Sequence, residues 1–159
     1  MKLEFKLNLY EYNIRMAVIL FAGLCPILLL CLHGYMPSLS SYWRTEYQPL
    51  FIIANAVTSY YFISMKNWQF SGFLLLMLTS FSIDLYPDTH NLLSIAFFIV
   101  TFYPFYKTNH FKEMIWFYLF ALVVMPFNLL FAEIIAIETM CIFHGRLLYK
   151  VYKLNNERQ

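Results

Sequence analysis

Apolar stretches free of Asp, Glu, Lys and Arg fill most of the chain, and their lengths are the first thing to explain. Met16 to Met36 is interrupted only by Pro26 and His33; Gln48 to Met65 opens with Pro49, which suits a first helical turn. Asn67 to Ile83 and Asn91 to Tyr106 follow, then Met114 to Ala132 and Ile134 to Gly145, the last interrupted by Glu138. A hydrocarbon core of roughly 30 Å takes about 20 apolar residues of helix. Read as one helix, Met114 to Tyr149 is far too long and encloses Pro126, so Pro126-Phe127-Asn128 marks a hairpin turn near Pro126 to Phe131. The expected fold is all-α: a polytopic bundle of six transmembrane helices near 16–35, 48–65, 67–84, 89–106, 113–128 and 131–150, with five spans as the alternative. Residues 1–15 alternate apolar and polar, which favours an extended or interfacial cytoplasmic segment. Residues 151–159 form a cytoplasmic tail.

Charge separates the two counts. With six spans, Lys2, Lys6, Arg15, Lys66, Lys107, Lys112, Arg146, Lys150, Lys153 and Arg158 share one side, and Arg44 stands alone on the other. Five spans would move the last four across and erase the bias. Short cytoplasmic loops collect Lys and Arg, so both termini are expected in the cytoplasm, a pattern that suits a bacterial inner membrane. Composition agrees. At 61% hydrophobic and 13% charged over 159 residues, the chain has too little interior to hide its apolar surface. Net charge of +2 argues against nucleic acid. Cys25, Cys31 and Cys141 lie in apolar runs and read as small hydrophobes. The apolar run near the N-terminus is too long for a cleavable signal peptide and lacks a small-x-small site. Tyr35, Tyr42, Trp43, Tyr47 and Tyr86 are expected as an outer interfacial belt, and Trp68, Tyr106, Trp116, Tyr149 and Tyr152 as an inner one.

Polar groups at membrane depth are costly and usually face the bundle interior. Asn55, Thr58 and Ser59 share one face of span two, and His90, Ser94 and Thr101 one face of span four. As helix-to-helix hydrogen bonds each is worth about 0.6 kcal/mol on average. The six-span order gathers Arg44, Glu46, Asp84, Asp88, His90 and Glu133 at the outer mouth, with His33 nearby. There Asp88 is placed to cap span four, and an Arg44 salt bridge can close the turn. Asp84, Asp88 and His90 are the candidate metal ligands, although their spacing matches no tight zinc motif. Asp84, His90, Ser38 and Ser40 are the candidate catalytic groups, provided the imidazole reaches a hydroxyl. Arg44, Asn55, Asp84, Asp88, His90, Ser94, Glu133 and Glu138 are the candidate polar pocket. Glu138, about 7.5 Å deeper than Glu133, must be protonated, paired or reached by water, with His33, His90 or Arg44 as possible partners. His144 and Arg146 read as inner interface anchors.

The segment Gly34-Tyr35-Met36-Pro37-Ser38-Leu39-Ser40-Ser41-Tyr42-Trp43 resembles the Pro-Ser-x-Ser element of a loose group of six-span proteins. That group includes the eukaryotic GPI-lipid-remodelling and autophagy-modulator membrane proteins and many small bacterial membrane proteins of unknown function. Tyr86-Pro87, His90, Ser94 and Phe97-Phe98 are similar to the pattern opening their fourth span, and Glu133 to Glu138 to the acidic sixth span of the bacterial members. The resemblance implies a compact six-helix bundle and a link to lipids, without a defined reaction. The chain departs from seven-span hydrolases of the ceramidase and receptor type, which need three zinc-binding histidines.

The leading expectation is a non-enzymatic integral membrane protein that binds a membrane lipid or a membrane-protein partner, as a subunit of a larger assembly and without a cofactor. One alternative is a lipid-active enzyme using the outer Asp/His site. Another is a small transporter or proton pathway through Glu138, with helices broken at Pro26 and Pro104.

Overall fold

The structure, a computed structural model, describes residues 8–107 and 111–157. It is all-α, with 82% of the described residues helical and no strand among them. Six α-helices run as α1 Leu9–His33, α2 Gln48–Ile63, α3 Gln69–Ser80, α4 Pro87–Lys107, α5 Glu113–Val124 and α6 Leu129–Asn156, with a 3-10 helix at Leu39–Arg44 between the first two.

Local chemistry sets several of these ends. Asn8 opens α1 with a capping box: its side chain accepts from the Glu11 N–H at 2.8 Å, and the Glu11 carboxylate accepts from the Asn8 N–H at 3.4 Å. The extended segment expected through Arg15 is therefore helical from Leu9 onward, since a satisfied cap outweighs the two-residue alternation; residues 1–7 lie outside the described part. Gly34 ends α1 at φ +89°, a region that favours glycine. Pro49 occupies the first turn of α2. At α4, Pro87 is itself the first helical residue, so Asp88 sits inside the first turn instead of capping it. Asn128 caps α6, its side chain accepting from the Phe131 N–H at 3.0 Å. Pro26 and Pro104 lie inside continuous helices, so neither breaks its helix.

Each helix packs on its neighbours in the chain, and α6 closes the ring against α1. At one end, the tail end, Tyr12 stacks on Tyr152 at 4.4 Å between ring centroids, and Arg146 pairs with Glu113 at 3.0 Å. The other end carries the 3-10 helix and the α3–α4 loop. Two apolar cores fill the interior. The larger gathers Trp68, Phe105, Tyr118 and Phe143, and the smaller, near the 3-10 helix, holds Leu29, Leu39, Tyr42 and Leu130. Tyr42 and Trp68 are 0% and 2% exposed, and His144 is equally buried, so these three are core residues and not interface anchors. Tyr35, Tyr86, Tyr106, Trp116 and Tyr149 remain exposed.

Helix lengths are uneven. Among the described helices, α1 alone is long and apolar enough by length and composition to cross a membrane. The stretches expected over 67–84 and 113–128 shorten to 12 residues each, about 18 Å at 1.5 Å per residue. Phe81 ends α3 by turning extended (φ −99°, ψ 101°), and the turn through Pro126 ends α5.

The tightest helix contact joins α2 to α3. A Cβ on Gly72 would lie 2.6 Å from the Ile63 nitrogen and 2.7 Å from the Ser59 carbonyl oxygen, both backbone atoms. The Ser59 hydroxyl donates to the Gly72 carbonyl at 2.6 Å across the same contact. Gly72→Ala should push the helices apart and cost about 1–3 kcal/mol, whereas Gly145→Ala, with nothing within 4 Å, should stabilise by about 0.4–1 kcal/mol. Thermal unfolding in detergent checks both signs.

Candidate functional site

Buried backbone polar groups need partners, and the 3-10 helix, wedged among the main helices, obtains them from around the bundle. The Tyr42 hydroxyl donates to the Gly34 carbonyl at 2.6 Å, and burial pushes this phenol's pKa up, so it keeps the proton it donates. The Leu39 N–H donates to the Glu133 carboxylate of α6 at 2.7 Å. Ser38 and Ser41 share a hydroxyl–hydroxyl bond at 2.9 Å. Arg44, at the far end, pairs with Asp84 in the α3–α4 loop.

Ser40 meets His90. The Ser40 Oγ lies 2.8 Å from His90 Nε2, while Nδ1 lies 2.7 Å from the Phe81 carbonyl oxygen. A carbonyl only accepts, so Nδ1 carries the proton. In the neutral imidazole Nε2 is then the acceptor, and the Ser40 hydroxyl donates to it. Local backbone explains the placement: the chain turns extended at Phe81, which frees that carbonyl for the imidazole on the first turn of α4. The result is a hydroxyl bonded to a base that a third group orients, the arrangement that activates a nucleophile.

Behind Ser40 lies a cavity of about 90 Å³ lined by α1, α2, α3, α4 and α6. Ser40, Glu133, Asn55 and Ser94 contribute its polar atoms toward the 3-10 helix, and its remaining walls are mostly aliphatic and aromatic. Its opposite end reaches Tyr61 and His144. Glu133 and His144 are eleven residues apart on α6, so the cavity extends along about 16 Å of helix. The His144 Nδ1 is 3.4 Å from the Tyr61 hydroxyl, and its buried Nε2 has no hydrogen-bond partner.

Several expected groupings come apart. Asp84 is exposed and engaged with Arg44, Asp88 and Glu46 are exposed, and both nitrogens of His90 are occupied. Asp84, Asp88 and His90 thus form no ligand set, and no group of three His, Cys, Asp or Glu able to hold a metal occurs among the described residues. Glu133 is buried at 6% exposure instead of standing at the mouth. Glu138 bonds to none of His33, His90 or Arg44. It lies against α1, its Oε2 3.3 Å from where a Cβ on Gly23 would be, and its buried Oε1 has no hydrogen-bond partner. It is not among the residues that line the cavity. His33 packs edge-on against Tyr42 and Tyr47, each at 6.0 Å. Thr58 and Ser59 divide: Thr58 lines the cavity, whereas Ser59 faces α3.

No protein-family model matches the chain, and no curated protein or solved structure matches it either.

The two carboxylate contacts at this end should differ in worth. Glu133→Ala strands the buried Leu39 N–H and should cost about 1–3 kcal/mol, with Glu133→Gln, which keeps an acceptor oxygen, recovering much of it. The Arg44–Asp84 pair is half exposed, so Arg44→Ala should cost about 0–1 kcal/mol. Unfolding midpoints of the three variants in one detergent test this ranking.

Proposed function

We propose that this chain is a six-span integral membrane protein, with both termini cytoplasmic, that holds the apolar chain of a membrane lipid in the cavity between α1, α2, α3, α4 and α6. The observation that carries the reading is the chemistry and extent of that cavity: largely aliphatic and aromatic walls along about 16 Å of α6, with Ser40 and Glu133 at one end and Tyr61 and His144 at the other. A single alkyl or isoprenoid chain fits such a cavity. The ester, hydroxyl or phosphate end of the lipid would meet Asn55, Ser94 and Ser40.

The outside of the bundle supports a lipid setting. Leu20, Leu24 and Leu28 of α1, Phe70 and Phe73 of α3, Ile95 and Ile99 of α4, and Phe117 and Phe120 of α5 are all exposed. Water-facing helices place charged residues there. The uneven distribution of Lys and Arg supports a six-span path in a bacterial inner membrane, and the shared placement of Tyr12 and Tyr152 fits an even number of crossings. The short loops leave the membrane region itself as the working part, in keeping with a subunit of a larger assembly.

Two measurements test this reading. Reporter fusions at both ends should report the cytoplasmic side, and ends on opposite sides would overturn the six-span path. Mass measurement after extraction in a mild detergent should find one lipid retained per chain. Ala54→Trp, which fills the cavity from α2, should release it. A wild-type protein that carries no lipid, or only a protein partner, would overturn lipid binding.

A further inference from the structure

We propose that Ser40 is a nucleophile, with His90 as its general base, and that it accepts the acyl group of an ester whose chain occupies the cavity; the choice of substrate rests on the lipid-binding reading above. Three features of the pair converge. The Ser40 hydroxyl is within hydrogen-bond reach of Nε2, at 2.8 Å, and the Phe81 carbonyl fixes Nδ1–H so that Nε2 has its lone pair free. Ser40 is also among the residues that line the cavity, at the wall against which the polar end of a bound chain would lie. Finally, the 3-10 helix that carries Ser40 is held from both sides, by the Glu133 carboxylate on the Leu39 N–H and by the Tyr42 hydroxyl on the Gly34 carbonyl. The nucleophile is therefore fixed in place before substrate arrives.

The reaction balances without a metal or a redox partner. Ser40 Oγ forms a bond to the ester carbonyl carbon, and its proton passes to Nε2. The bond from that carbon to the leaving alcohol breaks, and Nε2 returns the proton to the departing oxygen. Water, or a second alcohol, then attacks the acyl–serine in the same way, with Nε2 taking its proton and returning it to Ser40 Oγ. Asn55, lining the same cavity, is the side-chain amide there that can donate to the oxyanion. The orienting group is a carbonyl and not a carboxylate, so the imidazolium formed midway is less stabilised than in a Ser-His-Asp triad. Slow turnover is the expected signature.

A histidine that merely ties a loop to a helix would show the same distances, so the test reads reactivity. The purified full-length protein is treated with alkyl fluorophosphonates of short and long chain, and adducts are located by peptide mass spectrometry. One adduct per chain is expected, on Ser40, absent in Ser40→Ala and retained in Ser41→Ala. His90→Gln should slow labelling at least tenfold, since a positioned base contributes about 10²–10⁴. Circular dichroism of each variant checks that the helices persist. No adduct on folded wild-type protein, or an adduct on another residue, overturns the assignment. Labelling of Ser40 by the short probe alone would uphold the nucleophile while removing the lipid chain as its substrate.

Discussion

The bond between the Glu133 carboxylate and the Leu39 N–H joins the last helix to the first loop, across 94 positions of sequence. Much of the Ser40 end of the molecule is arranged around it. A loop tucked between apolar helices has no water to satisfy its backbone, and an unpaired N–H there costs free energy comparable to a lost hydrogen bond. The chain meets this demand with side chains from distant elements: Glu133 from α6, Tyr42 turning back onto the end of α1, and His90 from α4 onto Ser40. A buried carboxylate beside an apolar cavity is expensive. Here its cost is set against the ordering of the segment that places Ser40.

Much of this was legible in the sequence, and the failures have physical causes. Helix number, the hairpin at Pro126 and the all-helical class follow from apolar run length and one turn signal. Length alone misjudges α3 and α5, because apolar residues continue past the point where the backbone turns away. Ser40 and His90 were legible as candidate partners through loop proximity, and Glu133 as a candidate by its place near the turn. Of the mouth cluster, the Arg44–Asp84 pair formed as expected, while Asp84, Asp88 and His90 did not converge and Glu133 turned inward, because linear spacing does not report which way a helix is rotated. The stripe Glu133, Ile137, Met140, Cys141, His144 advances by four, three, one and three residues, which keeps to one helical face. Followed from Glu133, that face includes His144 and leaves Glu138 to one side. His144 was readable by this route, whereas the placement of Glu138 against Gly23 depends on how α1 packs on α6, which no single helix reports.

The geometry of the cavity and that of the dyad support one another functionally. A serine–histidine pair on an exposed loop would meet water first, and a slot without a reactive group would only hold its ligand. Here Ser40 belongs to both. On the proposed reading, a site largely screened from bulk solvent would strengthen the polar interactions inside it, and the aliphatic walls would select a chain by length and width. The outer charges, Arg44 and Asp84, take part in neither and act as a clasp between two loops.

The two 12-residue helices carry a consequence for whatever surrounds the bundle. Neighbours such as α1 and α6 run to 25 and 28 residues, so the molecule has tall and short flanks. On the proposed six-span path, lipids beside the short flank would have to compress, or the adjoining turns sink below the headgroups, and either deformation costs free energy per ångström of mismatch. A body so placed would favour thin bilayer or another stunted surface to share the distortion with, which would give it a preferred direction of approach in the plane of the membrane.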